Sequence, residues 1–106
     1  MGSVNLKILT KDNFDAEVST GPALIDFWAE WCYPCRMVGP VIEELAADFA
    51  GKAKVCKVNV DEQPDLGGKF NVRSIPTVVL LKDGKEVGRL VGVQSKAQYA
   101  EALNKL

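Results

Sequence analysis

The sequence predicts an α/β protein with parallel strands at the centre of its sheet and an antiparallel hairpin at one side. Three observations carry that reading. Short β-type runs alternate with stretches of helical apolar spacing, the pattern of strands joined by helical crossovers. One run, Ala23 to Ala29, is almost wholly apolar, as suits a strand covered on both faces. Late in the chain, two β-type runs are separated by Asp83-Gly84, a hairpin signal.

The elements follow in order. Val4, Leu6 and Ile8 alternate with Asn5 and Lys7, which predicts a short strand with one wet face. Thr10 or Asp12 can cap a helix running to about Val18, with Phe14 and Val18 on one side, and Gly21-Pro22 ends it. The buried strand Ala23–Ala29 comes next. From Pro34 to Phe49 the apolar residues Val38, Val41, Ile42, Leu45, Ala46 and Phe49 keep helical spacing, with Pro40 inside as an expected kink. Lys54 to Asp61 alternates as a strand. Asp61 to Asn71 holds a weak helix or turn, because Gly67 and Gly68 each cost about 1 kcal/mol relative to alanine. Thr77–Lys82 and Glu86–Val91 form the hairpin. Ser95 caps a last helix whose apolar side includes Tyr99, Leu103 and Leu106. The order is β-α-β-α-β-α-β-β-α, read as one domain over residues 1–106.

Composition removes several function classes. The net charge of −1 gives no basic surplus for nucleic acid or an anionic membrane surface. With no histidine, Cys-His proteases, Ser-His hydrolases and His-ligated zinc or haem sites are excluded. The three cysteines, Cys32, Cys35 and Cys56, fall one short of an all-cysteine zinc site and do not form a secreted disulfide framework. Apolar runs such as Val78-Val79-Leu80-Leu81 are far shorter than the ~20 residues of a membrane span. No charged segment followed by an apolar run opens the chain, so a cytoplasmic location is expected.

Trp31-Cys32-Tyr33-Pro34-Cys35 lies where the buried strand gives way to a helix. Cysteines three apart at a helix start can bring their sulfurs within bonding distance. The first meets free backbone N–H groups and the helix dipole, which favour a thiolate. The second sits one turn in, shielded and protonated. Pro34 suits a first helical turn, where its missing N–H would have been unpaired. An exposed, acidic attacking thiol beside a resolving thiol is what disulfide exchange requires. Two structural cysteines, or half of a metal site, are the competing readings.

With Phe27-Trp28-Ala29-Glu30-Trp31-Cys32, Pro34-Cys35-Arg36, Lys57-Val58-Asn59-Val60-Asp61, Ile75-Pro76-Thr77 and Gly84, the chain resembles the thioredoxin family over essentially its whole length. The resemblance implies a thioredoxin fold, a central mixed five-stranded sheet flanked by four helices. It implies a protein disulfide reductase with a reversible Cys32–Cys35 disulfide and no metal or organic cofactor. Its partners would be a thioredoxin reductase and disulfide-containing targets, such as reductases and peroxidases that need a dithiol donor. The protein is expected to be a monomer.

The resemblance also bears on individual residues. Asp26 interrupts an apolar strand, where a lone carboxylate must raise its pKa, find a partner or reach water. The family residue at that place takes and returns the proton of the second cysteine. Lys57 reads either as a lysine on a wet strand face or, by the resemblance, as the residue that tunes Asp26. Pro76 cannot sit within a ladder, so Ile75-Pro76 requires a turn or a cis bond, and the resemblance favours cis. Trp28 is expected to pack under the site. Trp31, Tyr33, Pro34, Ile75, Pro76, Val91, Gly92 and Val93 are expected to form an apolar surface that receives the target. By residue type alone, Val91 and Val93 read as ordinary strand packing and Gly92 as a turn glycine. Cys56 reads as a small buried hydrophobe. Tyr33 replaces the glycine most common at that place in the family, which enlarges the rim and alters the surroundings of Cys32. A disulfide oxidant or isomerase on the same fold, and a binding module independent of redox, are the alternatives.

Overall fold

The structure is a computed structural model and describes residues 5–106. Its elements are β1 (Leu6–Ile8), α1 (Phe14–Val18), β2 (Pro22–Trp28), α2 (Tyr33–Asp48), β3 (Lys54–Asn59), α3 (Pro64–Lys69), β4 (Thr77–Lys82), β5 (Lys85–Val91) and α4 (Lys96–Asn104). The five strands lie in the order β1-β3-β2-β4-β5. β1, β3 and β2 are parallel, and β4 and β5 extend the sheet antiparallel. The mixed sheet and four helices are those the sequence predicts.

Side-chain alternation divides the core between the two faces of the sheet. Ala23, Ile25 and Phe27 of β2 join Phe14 and Val18 of α1 and Leu66 of α3 on one face, where Phe70 tilts against both Phe14 and Phe27. Leu24 joins Val38, Ile42 and Leu45 of α2 and Tyr99 and Leu103 of α4 on the other. β2 is therefore covered on both sides, which explains its unbroken apolar run.

Several details differ from the sequence expectations. Val4 lies outside the described residues. Leu6 reaches the core but Ile8 is 61% exposed, because β1 is an edge strand covered only at its Leu6 end. Neither Thr10 nor Asp12 is the N-cap of α1. Asn13 takes that place, and Thr10 Oγ1 instead accepts the Asp12 amide in the turn before it. The β4–β5 ladder shifts register between Leu80 and Leu81, pairing Leu80 with Gly88 but Leu81 with Glu86. Val87 is thus skipped, a bulge beside a strand glycine. Asp83 and Gly84 both hold positive φ, at 51° and 82°, the geometry of a type I′ hairpin turn. Among the described residues no helix is long and apolar enough to cross a membrane.

Candidate active site

The site forms where β2 ends and α2 begins. Cys32 is the N-cap of α2, in extended conformation, with Pro34 in the first turn. Its sulfur accepts the Cys35 amide at 3.2 Å, so it takes one of the donors a helix start leaves free. Cys32 and Cys35 are joined as a disulfide with Cα atoms 5.3 Å apart. Ala29, Trp28, Val60 and Ile75 pack around the pair. In consequence Cys32 is only 4% exposed and Cys35 2%. Cys32, expected to be exposed, is therefore less open in the disulfide form than the sequence suggests.

Asp26 sits two residues before Trp28, on the sheet face covered by α2 and α4. It is fully buried, and among the described residues neither carboxyl oxygen has a hydrogen-bond partner. Burial pushes its pKa up to about 7, while the positive charge of Lys57 works in the opposite direction. Lys57 is directly opposite Asp26 in the parallel β2–β3 pairing, hence on the same face. Its ammonium lies 4.1 Å from the centroid of the Trp28 ring. Lys57 thus acts on Asp26 through space, with its charge held by an indole rather than in a direct ion pair. The face that carries Asp26 also carries the buried stripe of α2, headed by Cys35.

A second segment closes over the sulfurs. The Ile75-Pro76 bond is cis, and the Ile75 carbonyl oxygen lies 3.7 Å from Cys32 Sγ. Thr77 Oγ1 donates to the Ser74 carbonyl at 2.6 Å and fixes the approach to that bond. The Gly92 amide donates to the Pro76 carbonyl at 2.8 Å, which draws the end of β5 to the same place. Gly92 has φ +83°, a conformation that strains any residue with a Cβ.

The residues expected at the rim differ in exposure. Trp31 and Tyr33 are 71% and 72% exposed, and Val91 and Val93 are also open to solvent. Pro34 is exposed, whereas Ile75 and Gly92 are half-buried. Pro76 departs from expectation, because its ring is buried and underlies the rim rather than forming it. Beside Trp31, a groove of about 410 Å³ is lined by Val60, Gly67, Val72, Arg73 and Ile75. Two contributors escaped the sequence reading. Asp61 Oδ2 accepts the Trp31 indole N–H at 2.8 Å and orients that ring. The Tyr99 hydroxyl, read only as part of an apolar helix side, bonds the loop after β5. The available signal was that buried or oriented Trp and Tyr polar atoms need partners. Cys56 is free, buried and on the face away from α2, and burial pushes its thiol up to about 12, so it stays protonated and unreactive near neutrality.

Comparison with known proteins agrees with this geometry. The family model described as Thioredoxin matches residues 5–105. Thioredoxins of Staphylococcus haemolyticus and Staphylococcus aureus are each 50% identical over 97 residues, covering 92% of this chain and 93% of theirs. Among solved structures, a mutant thioredoxin from Halobacterium salinarum NRC-1 superposes with a TM-score of 0.89 at 33% identity, over 99% of this chain and 94% of that one.

Proposed function

The chain belongs to the thioredoxin family and is a thiol–disulfide reductase, and from that premise we propose how its residues divide the reaction. Cys32, as thiolate, attacks one sulfur of a target disulfide. A mixed disulfide forms, and the other target sulfur leaves as a thiolate that takes a proton from solvent. Cys35 then gives its proton to Asp26 and attacks Cys32 Sγ. The bond from Cys32 to the target breaks, the second target thiolate is protonated, and Cys32–Cys35 remains as the disulfide. Two electrons pass from protein to target, and no metal or organic cofactor takes part.

The observation that carries the assignment is the N-cap placement of Cys32, whose sulfur accepts the Cys35 amide at the start of a sixteen-residue helix. That donor and the helix dipole favour negative charge on Cys32 over Cys35. Asp26 suits the proton transfer because its pKa of about 7 lets it hold or release a proton near neutrality. Lys57 tunes it through space. Trp31, Tyr33, Pro34, Ile75, Val91, Gly92 and Val93, underlain by Pro76, receive an extended target segment. A separate thioredoxin reductase returns the disulfide to the dithiol, and the reaction belongs in the cytoplasm.

The variants Cys35→Ser and Cys32→Ser test the division of labour. Cys35→Ser is expected to accumulate covalent mixed disulfides with target proteins, visible on non-reducing gels and released by dithiothreitol. Cys32→Ser is expected to lose insulin reduction. Wild-type turnover by Cys32→Ser would overturn the mechanism.

A further inference from the structure

Tyr99 hangs from α4 into the core and is fully buried among Leu24, Val38 and Val78. Its hydroxyl emerges at the loop that follows β5. There it accepts the Gln94 amide at 3.2 Å and donates over a longer 3.4 Å to the Gly92 carbonyl. These partners flank Val93, so one phenol grips both sides of that exposed residue. The Gly92 amide donates to the Pro76 carbonyl, and the Ile75 carbonyl before it lies 3.7 Å from Cys32 Sγ. A continuous path of contacts therefore runs from α4 through the loop to the attacking sulfur.

Packing alone does not account for this hydroxyl. A phenylalanine would fill the same core volume without carrying an oxygen into it. The loop, in contrast, has few other ties. Val91 and Val93 are exposed, Gly92 is in the left-handed region, and the Gln94 side chain bonds back to the Val91 carbonyl. Burial raises the pKa of Tyr99, so its oxygen keeps a proton and serves as donor and acceptor together.

We propose that the Tyr99 hydroxyl is a positioning group that holds the Gly92–Gln94 loop in the shape that receives a protein target, and so sets affinity for protein disulfides without entering the sulfur chemistry. This rests on the assignment of Val91, Gly92 and Val93 to the target surface. A protein substrate must lie across the loop. A small disulfide needs only to reach Cys32, so the two substrate classes separate the roles.

Tyr99→Phe keeps the ring and removes the two bonds. With dithiothreitol as reductant, its half-saturating insulin concentration is expected to rise about three- to tenfold, with the limiting rate within about twofold of wild type. Pre-reduced, desalted variant should react with dithiobis-nitrobenzoate, a small aromatic disulfide, within about twofold of the wild-type rate. Hydrogen exchange at the Gln94 amide should accelerate about tenfold. If the hydroxyl served the fold alone, its removal would lower the unfolding midpoint and leave the half-saturating concentration unchanged. That result overturns the proposal, as does an equal loss on both disulfides or unchanged exchange at Gln94. The exchange measurement does not depend on activity. Failure of the wild type to reduce insulin, with Gln94 exchange still faster in the variant, would sink the functional reading and support the loop-holding role.

Discussion

A carboxyl without a hydrogen-bond partner beneath a helix makes the folded protein less stable once it ionises. For Asp26 the sign follows from its pKa, raised from 3.8 to about 7. Between those values the folded chain holds a proton that the unfolded chain has released, so stability falls as pH rises through that window and levels off above it. The shift corresponds to about 4 kcal/mol at most. Urea unfolding of Asp26→Ala should lose this pH-dependent decline, leaving the variant more stable than wild type at pH ~9 and not at pH ~4. An unchanged decline would mean that Asp26 is not the group responsible. The same residue was legible in the sequence, because a charge within Leu24-Ile25-Asp26-Phe27-Trp28 violates the pattern around it. The Tyr99 hydroxyl was not legible. It obeys the apolar pattern of α4, and its partners are backbone atoms of a loop that only the folded chain brings near.

Whole elements were legible wherever local chemistry and tertiary burial agree. α4 begins at Ser95, the cap the sequence predicts, and the structure adds a complete capping box: the Gln98 amide donates to Ser95 Oγ at 3.2 Å, and the Ser95 amide donates to Gln98 Oε1 at 2.9 Å. Ser95→Ala should cost about 1 kcal/mol, read as a lower urea midpoint with unchanged slope. No loss would mean that packing of Tyr99 and Leu103 alone fixes the helix start. Legibility fails where the environment decides. Nothing in Val4-Asn5-Leu6-Lys7-Ile8 tells that the strand lies at an edge and leaves Ile8 in water. Thr10, Asp12 and Asn13 are all competent caps, and only the path of the chain selects among them. The β5 bulge had a signal in Gly88, but a glycine does not say which neighbour the ladder will skip. The sequence suggests an open Cys32 because Ile75 and Val60, which cover it, lie far away along the chain.

At the scale of the whole molecule, redox chemistry and folding stability are one equilibrium. Folded and unfolded chain, each oxidised or reduced, form a closed cycle. Any extra stability of the oxidised folded form therefore equals the free energy by which folding favours disulfide over dithiol. Two effects oppose each other. The start of α2 carries both Cys32 and Cys35, with Cα atoms 5.3 Å apart in the disulfide form, so folding supplies the closure entropy that an unfolded chain must still lose, about 2 kcal/mol for so short a loop. The start of α2 favours a Cys32 thiolate, which stabilises the reduced form by roughly 0.3–1 kcal/mol. Closure wins by about 1–2 kcal/mol, which makes the folded protein a better electron donor than its own unfolded chain. Urea unfolding with and without excess dithiothreitol should place the oxidised midpoint above the reduced one. The opposite order would show a fold that stabilises the dithiol and would make the folded protein a weaker electron donor than its own unfolded chain.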